Sequence, residues 1–194
     1  QPGDYRQPTM LPRLPESRTA FACTLCALGF GCLGDVLLLS VSEKRFMAGA
    51  LSFFVGHIFW IVQYVFSPNG TSAYASGGRM FFSIALICFI CYGIVLASTY
   101  VLLGKPKGVM GGGVIAYGGI LCALNFTAIN AVVNGINGKA SLFYLAGSIL
   151  FFISDGILSY TVFKKDIPHS RFIIMITYIA AQALLAAGCV LPYI

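Results

Sequence analysis

Two aspartates and one histidine fall inside long apolar stretches of this chain, where ionisable side chains are costly. They are Asp35, Asp155 and His57, and a charged side chain at mid-membrane costs at least about 2.5 kcal/mol. The other four acidic residues lie in tails or connectors: Asp4, Glu16, Glu43 and Asp166. Taken singly, each buried residue fits a satisfied structural group, so the argument for function rests on their placement together.

The placement follows from counting along each predicted helix from its cytoplasmic end. At ~1.5 Å per residue, Asp35 lies ~9 Å deep, Asp155 ~12 Å and His57 ~16 Å. By the same count Tyr117 lies ~12 Å and Gln182 ~16 Å deep. We call these five residues the polar layer. A shared depth is expected of a site that opens to one leaflet, and is not expected of unrelated structural residues.

Two chemistries suit this set of side chains. A pair of half-buried carboxyl groups can hold one protonated and one ionised member, which suits proton donation and water activation. The catalytic residues are therefore predicted to be Asp35, His57 and Asp155. An Asp, Asp and His set is also a plausible divalent-metal site, although His57 is the only histidine within a span. We predict no cofactor and leave the metal open.

The composition indicates the class of protein that contains these residues. Of 194 residues, 58% are hydrophobic and 9% are charged, and the mean hydropathy is +0.88. Because soluble domains carry about a quarter charged residues, these values exclude a soluble enzyme, a disordered chain and a coiled coil. The net charge of +6 sits in short connectors. It therefore indicates anionic headgroups and topology, and no nucleic-acid partner is predicted.

Six apolar runs are long enough to cross a bilayer, which needs about 20 residues. They cover residues 20–41, 46–66, 80–103, 109–133, 140–163 and 171–193. Backbone groups in lipid must be satisfied internally, so each run is predicted to be a helix. The prediction is an all-α, polytopic transmembrane helical bundle. It forms a single domain at residues 20–194 after a polar, proline-rich tail at residues 1–19.

Basic residues set the predicted orientation. The first, third and fifth connectors hold Lys44, Arg45, Lys105, Lys107, Lys164, Lys165 and Arg171, whereas the second and fourth hold only Arg79 and Lys139. Arg6, Arg13 and Arg18 of the tail add to the poorer side, so the count is seven against five with the tail and seven against two without it. The positive-inside rule then places the odd-numbered connectors in the cytoplasm. The sequon Asn69-Gly70-Thr71 would face a lumen, which is consistent with the endoplasmic reticulum.

Two further motifs have simpler explanations. The pairs Cys23-x-x-Cys26 and Cys88-x-x-Cys91 lie within apolar helical runs and are interpreted as small helix residues. Gly111-Gly112-Gly113 and Gly118-Gly119 lack the lysine and hydroxyl residue of a phosphate loop. They are interpreted as sites of close helix packing.

The order and spacing of several segments carry a family resemblance. They are Gly34-Asp35-Val36-Leu37-Leu38; Gly49, Phe53, Phe54, His57 and Trp60; Ala116-Tyr117-Gly118; Gly147-Ser148 through Ser154-Asp155 and Phe163; and Pro168-His169-Ser170-Arg171, Met175, Thr177-Tyr178 and Ala181-Gln182. From about residue 28 to 188 the chain resembles the YhhN-like integral membrane family, the lysoplasmalogenases, in its animal-type branch. More distantly it is similar to alkaline ceramidases, zinc hydrolases whose additional histidines are missing here.

The resemblance implies hydrolysis of the vinyl ether bond of lysoplasmalogens, releasing a fatty aldehyde and a glycerophospho-alcohol. Family members usually have eight helices, two of them before the helix that carries Gly34-Asp35. The expected partners are a lysophospholipid substrate and the bilayer. Substrate contacts are predicted for Tyr117, Ser154 and Gln182, with Lys44 and Arg45 near the phosphate. The alternatives are a small proton-coupled transporter, in which buried Asp and His residues relay protons, and a non-catalytic lipid-binding protein.

Overall fold

The computed structural model describes residues 14–39, 42–67 and 79–193. Within these ranges the chain forms six α-helices and contains no β-strand. The helices are α1 (Leu14–Leu38), α2 (Glu43–Val65), α3 (Arg79–Leu102), α4 (Gly108–Val133), α5 (Ala140–Phe163) and α6 (Ser170–Val190), with a 3-10 turn at Leu191–Tyr193. The predicted all-α class is confirmed.

Each helix contains a segment that is long and apolar enough to cross a membrane. The segments are Arg18–Leu38, Lys44–Val65, Ile84–Leu102, Gly108–Val133, Ala140–Phe163 and Ser170–Tyr193. The shortest has 19 residues, and at ~1.5 Å per residue it matches a hydrocarbon core of about 30 Å. The six-span bundle is confirmed, and the protein is an integral membrane protein.

The helix α1 begins at Leu14, six residues before the first apolar run. Hydropathy reports the apolar part of a helix, whereas backbone hydrogen bonds continue through the polar residues Ser17, Arg18 and Thr19. Pro15 is compatible with this start, because the first helical turn needs no intrahelical N–H donor. The remaining helix ends agree with the apolar runs to within three residues.

The helices pack as two close pairs around a more central helix. The closest pairs are α5 with α6 and α1 with α2. The helix α4 packs against α2, α5 and α3, and it provides the main packing surface for α3. The five residues of the polar layer lie on α1, α2, α4, α5 and α6, and α3 contributes none of them.

Large aromatic side chains join α2 to α5 in the core. Trp60, Tyr64, Tyr144 and Phe151 are at most 1% exposed. The rings of Tyr64 and Tyr144 stack with centroids 3.9 Å apart. The Tyr144 hydroxyl also donates a hydrogen bond to the Trp60 carbonyl at 3.1 Å. This contact gives the buried Tyr144 hydroxyl a hydrogen-bonding partner and fixes α2 against α5.

Glycines allow α5 and α6 to approach each other closely. A Cβ atom on Gly147 would lie 2.8 Å from the Leu185 nitrogen, and one on Gly188 would lie 2.7 Å from the Tyr144 nitrogen. Both contacts are with backbone, which cannot move aside without shifting a helix. Small residues at such crossings are typical of membrane bundles, and here they fix how α5 is rotated relative to α6.

The glycine-rich segments Gly111–Gly113 and Gly118–Gly119 lie within α4, as predicted. A Cβ atom on Gly118 would collide with the Leu96 side chain of α3, so this glycine serves close packing. The cysteines also lie within helices, as predicted, and all seven are free thiols.

We expect Gly188→Ala to destabilise the bundle by about 1–3 kcal/mol, because the added methyl group overpacks a backbone contact. The measurement is the thermal unfolding midpoint of the purified protein in detergent. Gly119→Ala is the matched control, since a Cβ atom there would meet nothing within 4 Å. Equal unfolding midpoints for the two variants would contradict the packing assigned to Gly188.

Candidate active site

The centre of the site is a hydrogen bond between α4 and α5. The Tyr117 hydroxyl donates to the Oδ2 atom of Asp155 in a short contact. Asp155 is only 6% exposed, so its carboxyl group lies inside the bundle with a tyrosine as its donor. Because a buried polar group without a partner is costly, this contact lets an acidic residue occupy a membrane helix.

His57 lies beside this pair and is 1% exposed. Its Nδ1 atom is 2.6 Å from the Phe53 carbonyl. A carbonyl only accepts, so Nδ1 carries the proton in this contact. The Nε2 atom has no hydrogen-bonding partner among the described residues, which leaves it able to accept a proton. The imidazole ring meets the Tyr117 ring edge-on at 5.9 Å and the Phe151 ring at 4.3 Å.

Asp35 reaches the same region from α1 and is exposed. Its carboxyl group interacts electrostatically with the Tyr178 hydroxyl and with Asp155. The Gln182 amide Nε2 in turn donates to the Tyr178 hydroxyl at 3.2 Å. Asp35 and Gln182 are thus connected through a tyrosine that was not among the predicted site residues.

The polar layer is therefore assembled as two tyrosine–aspartate groups. Tyr117 and Asp155 form one group with His57, and Asp35, Tyr178 and Gln182 form the other. Phe151 lies between them, with its ring 4.3 Å from His57 and 5.5 Å from Tyr178. All five residues that were placed at a shared depth belong to one group or the other.

Ser154, a predicted substrate contact, faces a different direction. It is fully buried, and its hydroxyl donates to the Ile174 carbonyl of α6 at 3.2 Å. Adjacent residues on a helix are about 100° apart, so Asp155 and Ser154 point to different neighbours. In this structure Ser154 joins α5 to α6.

An apolar cavity of about 220 Å³ lies against the Asp155 pair. It is enclosed mainly by α2, α3, α4 and α5, and Tyr117 and Asp155 form part of its wall. Phe46, Leu103 and Phe163 line it at the helix ends next to the odd-numbered connectors. The cavity therefore extends from that side of the bundle toward the buried carboxyl group.

Lys44 and Arg45 lie at the start of α2 and are exposed. Neither forms the cavity wall, although the next residues along the chain, Phe46 and Met47, do. The two basic side chains are thus near the end of the cavity that adjoins the first connector. This is the position expected for contact with a lipid phosphate.

No three His, Cys, Asp or Glu side chains in the described parts of the chain lie together as a metal site would require. The predicted catalytic residues supply one imidazole and two carboxyl groups, and these are divided between the two tyrosine–aspartate groups. That the site works without a cofactor stays a prediction.

Tyr178 is the site residue that the sequence reasoning missed. In the sequence it is one of the residues that carry the family resemblance, and it lies one helical turn before Gln182 on the same face of α6. Tyrosine is common in this chain, with ten copies, and an aromatic residue in a membrane helix most often faces lipid or packs. Only the contacts with Asp35 and Gln182 distinguish Tyr178 from the others.

We expect Tyr117→Phe to lower the free energy of unfolding by about 1–3 kcal/mol, because the buried Asp155 carboxyl group loses its donor. The measurement is the thermal unfolding midpoint in detergent. The control is Tyr160→Phe, a partly exposed tyrosine on α5. If Tyr117→Phe unfolds at the same temperature as the control, the hydrogen bond contributes nothing to stability.

The chain is 28% identical over 159 residues to "Lysoplasmalogenase TMEM86B" from Homo sapiens, which covers 82% of this chain and 59% of that protein. The protein of the same name from Mus musculus is 30% identical over 159 residues, with the same coverage. "Lysoplasmalogenase TMEM86A" from Bos taurus is 27% identical over 165 residues, covering 84% of this chain and 63% of that protein.

The chain spans about three fifths of the length of these curated relatives. No solved structure gives a significant match. The model of the YhhN family matches residues 10–189, which cover α1 to α5, all but the last residue of α6, and both tyrosine–aspartate groups. On this evidence the chain belongs to the YhhN family.

Proposed function

We propose that the protein is a membrane lipid hydrolase that cleaves the vinyl ether bond of lysoplasmalogens. The products are a fatty aldehyde and a glycerophospho-alcohol. The observation that carries the proposal is the Tyr117–Asp155 pair, a buried carboxyl group on the wall of an apolar cavity inside a membrane bundle. The relatives named lysoplasmalogenase support the type of bond.

Vinyl ether hydrolysis needs a proton donor, a counter-charge and a base that activates water. The donor protonates the β-carbon of the double bond, which leaves an oxocarbenium ion. Water adds to the carbon attached to oxygen and loses a proton to the base. The resulting hemiacetal breaks its carbon–oxygen bond. The ether oxygen takes up one proton as it leaves and becomes the alcohol. The reaction consumes one water molecule, and the residues give and receive equal numbers of protons.

We assign proton donation to Asp155. Tyr117 hydrogen bonds with its Oδ2 atom, so the second carboxyl oxygen can carry the transferred proton. Once the proton is given, the same group is a carboxylate beside the cationic intermediate and supplies the counter-charge. A fixed charge in a water-poor cavity stabilises such an intermediate more than water would.

Asp35 is assigned to water activation, because it lies three residues before the end of α1 at Leu38, next to the first connector, where the proposed topology brings water closest. His57 has Nδ1 engaged with the Phe53 carbonyl. Its Nε2 atom can therefore exchange a proton with groups beside the Tyr117 ring. In this assignment the histidine carries the proton that Asp35 has taken from water back to Asp155 after turnover.

The alkenyl chain fits the apolar cavity, whose wall is largely aliphatic and aromatic. Lys44 and Arg45 lie beside its outer end and suit the phosphate of a lysophospholipid. In this pose the vinyl ether, which adjoins the glycerol, lies between the phosphate contacts and the buried chain. Tyr117 and Gln182 would contact the substrate from α4 and α6.

We also propose residence in the endoplasmic reticulum with the odd-numbered connectors in the cytoplasm. The support is the concentration of Lys and Arg next to Phe46, Leu103 and Phe163 at one end of the bundle. The cavity would then open toward the cytoplasmic leaflet. The sequon Asn69-Gly70-Thr71 lies outside the described residues.

We expect Asp155→Asn to reduce release of fatty aldehyde from a lysoplasmenyl lipid by 10²-fold or more, because general acid catalysis is typically worth 10²- to 10⁴-fold. The assay uses purified protein in detergent. The matched control is Asp166→Asn, an exposed connector residue bonded to Ser170, which should keep wild-type turnover. Full activity in a folded Asp155→Asn protein would overturn the site assignment.

We expect a chelator to leave aldehyde release unchanged, because the described residues offer no set of three metal-ligating side chains. The measurement is turnover before and after dialysis against EDTA, with protein held in the same detergent. Loss of turnover that is restored by Zn²⁺ would contradict this expectation.

A further inference from the structure

Each of the two aspartates in the site has its own tyrosine. Asp155 accepts from Tyr117, which lies on α4. Asp35 interacts electrostatically with Tyr178, which lies on α6. The catalytic scheme above uses both aspartates and gives Tyr178 no role, so the second pair calls for a separate account.

The direction of the hydrogen bonds around Tyr178 is set by its neighbour. Gln182 Nε2 is a donor and lies 3.2 Å from the Tyr178 oxygen. A hydroxyl that accepts from an amide still has its own proton to give. The Asp35 carboxylate interacts electrostatically with this oxygen and is the acceptor that we infer for that proton. The inferred order of hydrogen-bond donation is therefore from the Gln182 amide to the Tyr178 hydroxyl, and from the Tyr178 hydroxyl to the Asp35 carboxylate.

Packing holds the Tyr178 ring in place. It meets the Phe53 ring edge-on at 5.9 Å and the Phe151 ring edge-on at 5.5 Å. Phe53 lies on α2, and Phe151 lies on α5, so rings from two further helices define the orientation. Phe151 also contacts His57, which connects this tyrosine to the other half of the site.

The surface of α1 is shaped for this arrangement. A Cβ atom on Gly31 would lie 2.9 Å from both the Tyr178 hydroxyl and the Gln182 Nε2 atom. Gly31 is four residues before Asp35, so both face the same side of the helix. The missing side chain at Gly31 leaves room for the hydroxyl to reach α1 one turn from the carboxylate.

We infer that Tyr178 is the positioning residue for Asp35. Its hydroxyl donates to the Asp35 carboxylate and fixes which carboxyl oxygen takes the proton from the attacking water. Gln182 and Gly31 set the place of that hydroxyl. The inference rests on the proposed function, since it gives Tyr178 a part in the water-activating half of that reaction.

The test is Tyr178→Phe, which keeps the ring and its contacts and removes only the hydroxyl. We expect kcat for aldehyde release to fall 10- to 100-fold while KM stays within twofold, because the hydroxyl acts through Asp35 and does not bind the lipid. Tyr160→Phe is the matched control and should keep wild-type kinetics. Gly31→Ala, which displaces the hydroxyl without removing it, should reproduce the loss of kcat.

A double-mutant cycle with Asp35→Asn separates positioning from a general structural role. If Tyr178 acts through Asp35, adding Tyr178→Phe to Asp35→Asn lowers kcat no further. A further 10-fold loss in the double mutant would overturn the inference, as would wild-type kcat in Tyr178→Phe. If Tyr178→Phe fails to fold, the same double-mutant cycle is measured with Gly31→Ala in place of Tyr178→Phe, and the same outcomes support or overturn the inference. A wild-type protein that releases no aldehyde would overturn the proposed function, and this inference with it.

Discussion

An acidic side chain inside a membrane helix must have a polar partner, and the structure of this protein depends on that requirement at Asp155. The Tyr117 hydroxyl meets it, and a tyrosine on α4 can do so only if α4 and α5 lie close together. The aromatic contacts between α2 and α5 then place His57 next to the pair. The arrangement of the central helices thus follows from satisfying one buried carboxyl group.

The two close helix pairs contribute to the site in different ways. In the α1–α2 pair, a Cβ atom on Gly49 would lie 3.2 Å from the Gly34 carbonyl, so the helices meet just before Asp35. In the α5–α6 pair, Gly147 and Gly188 bring the two backbones together on a face of α5 about 80° from that of Asp155. Small residues therefore set the distance between the helices, and polar residues on their other faces form the site.

The sequence alone predicts the six spans, because apolar length is what a bilayer selects. It also predicts the depth of Asp35, His57, Tyr117, Asp155 and Gln182, because the rise along a helix is constant. It does not predict which way a side chain points around the helix axis when every face is apolar. For this reason Ser154 was expected in the site and instead bonds with Ile174, and Tyr178 was overlooked.

The glycine contacts of α5 have a consequence for its length. Gly147 and Asp155 are eight residues apart, a rotation of about 800°, so their faces differ by about 80°. Inserting or deleting one residue between them would turn Asp155 by about 100° while Gly147 stayed fixed on α6. The stretch between the two can exchange one apolar side chain for another, but the number of its residues determines whether the carboxyl group faces the cavity.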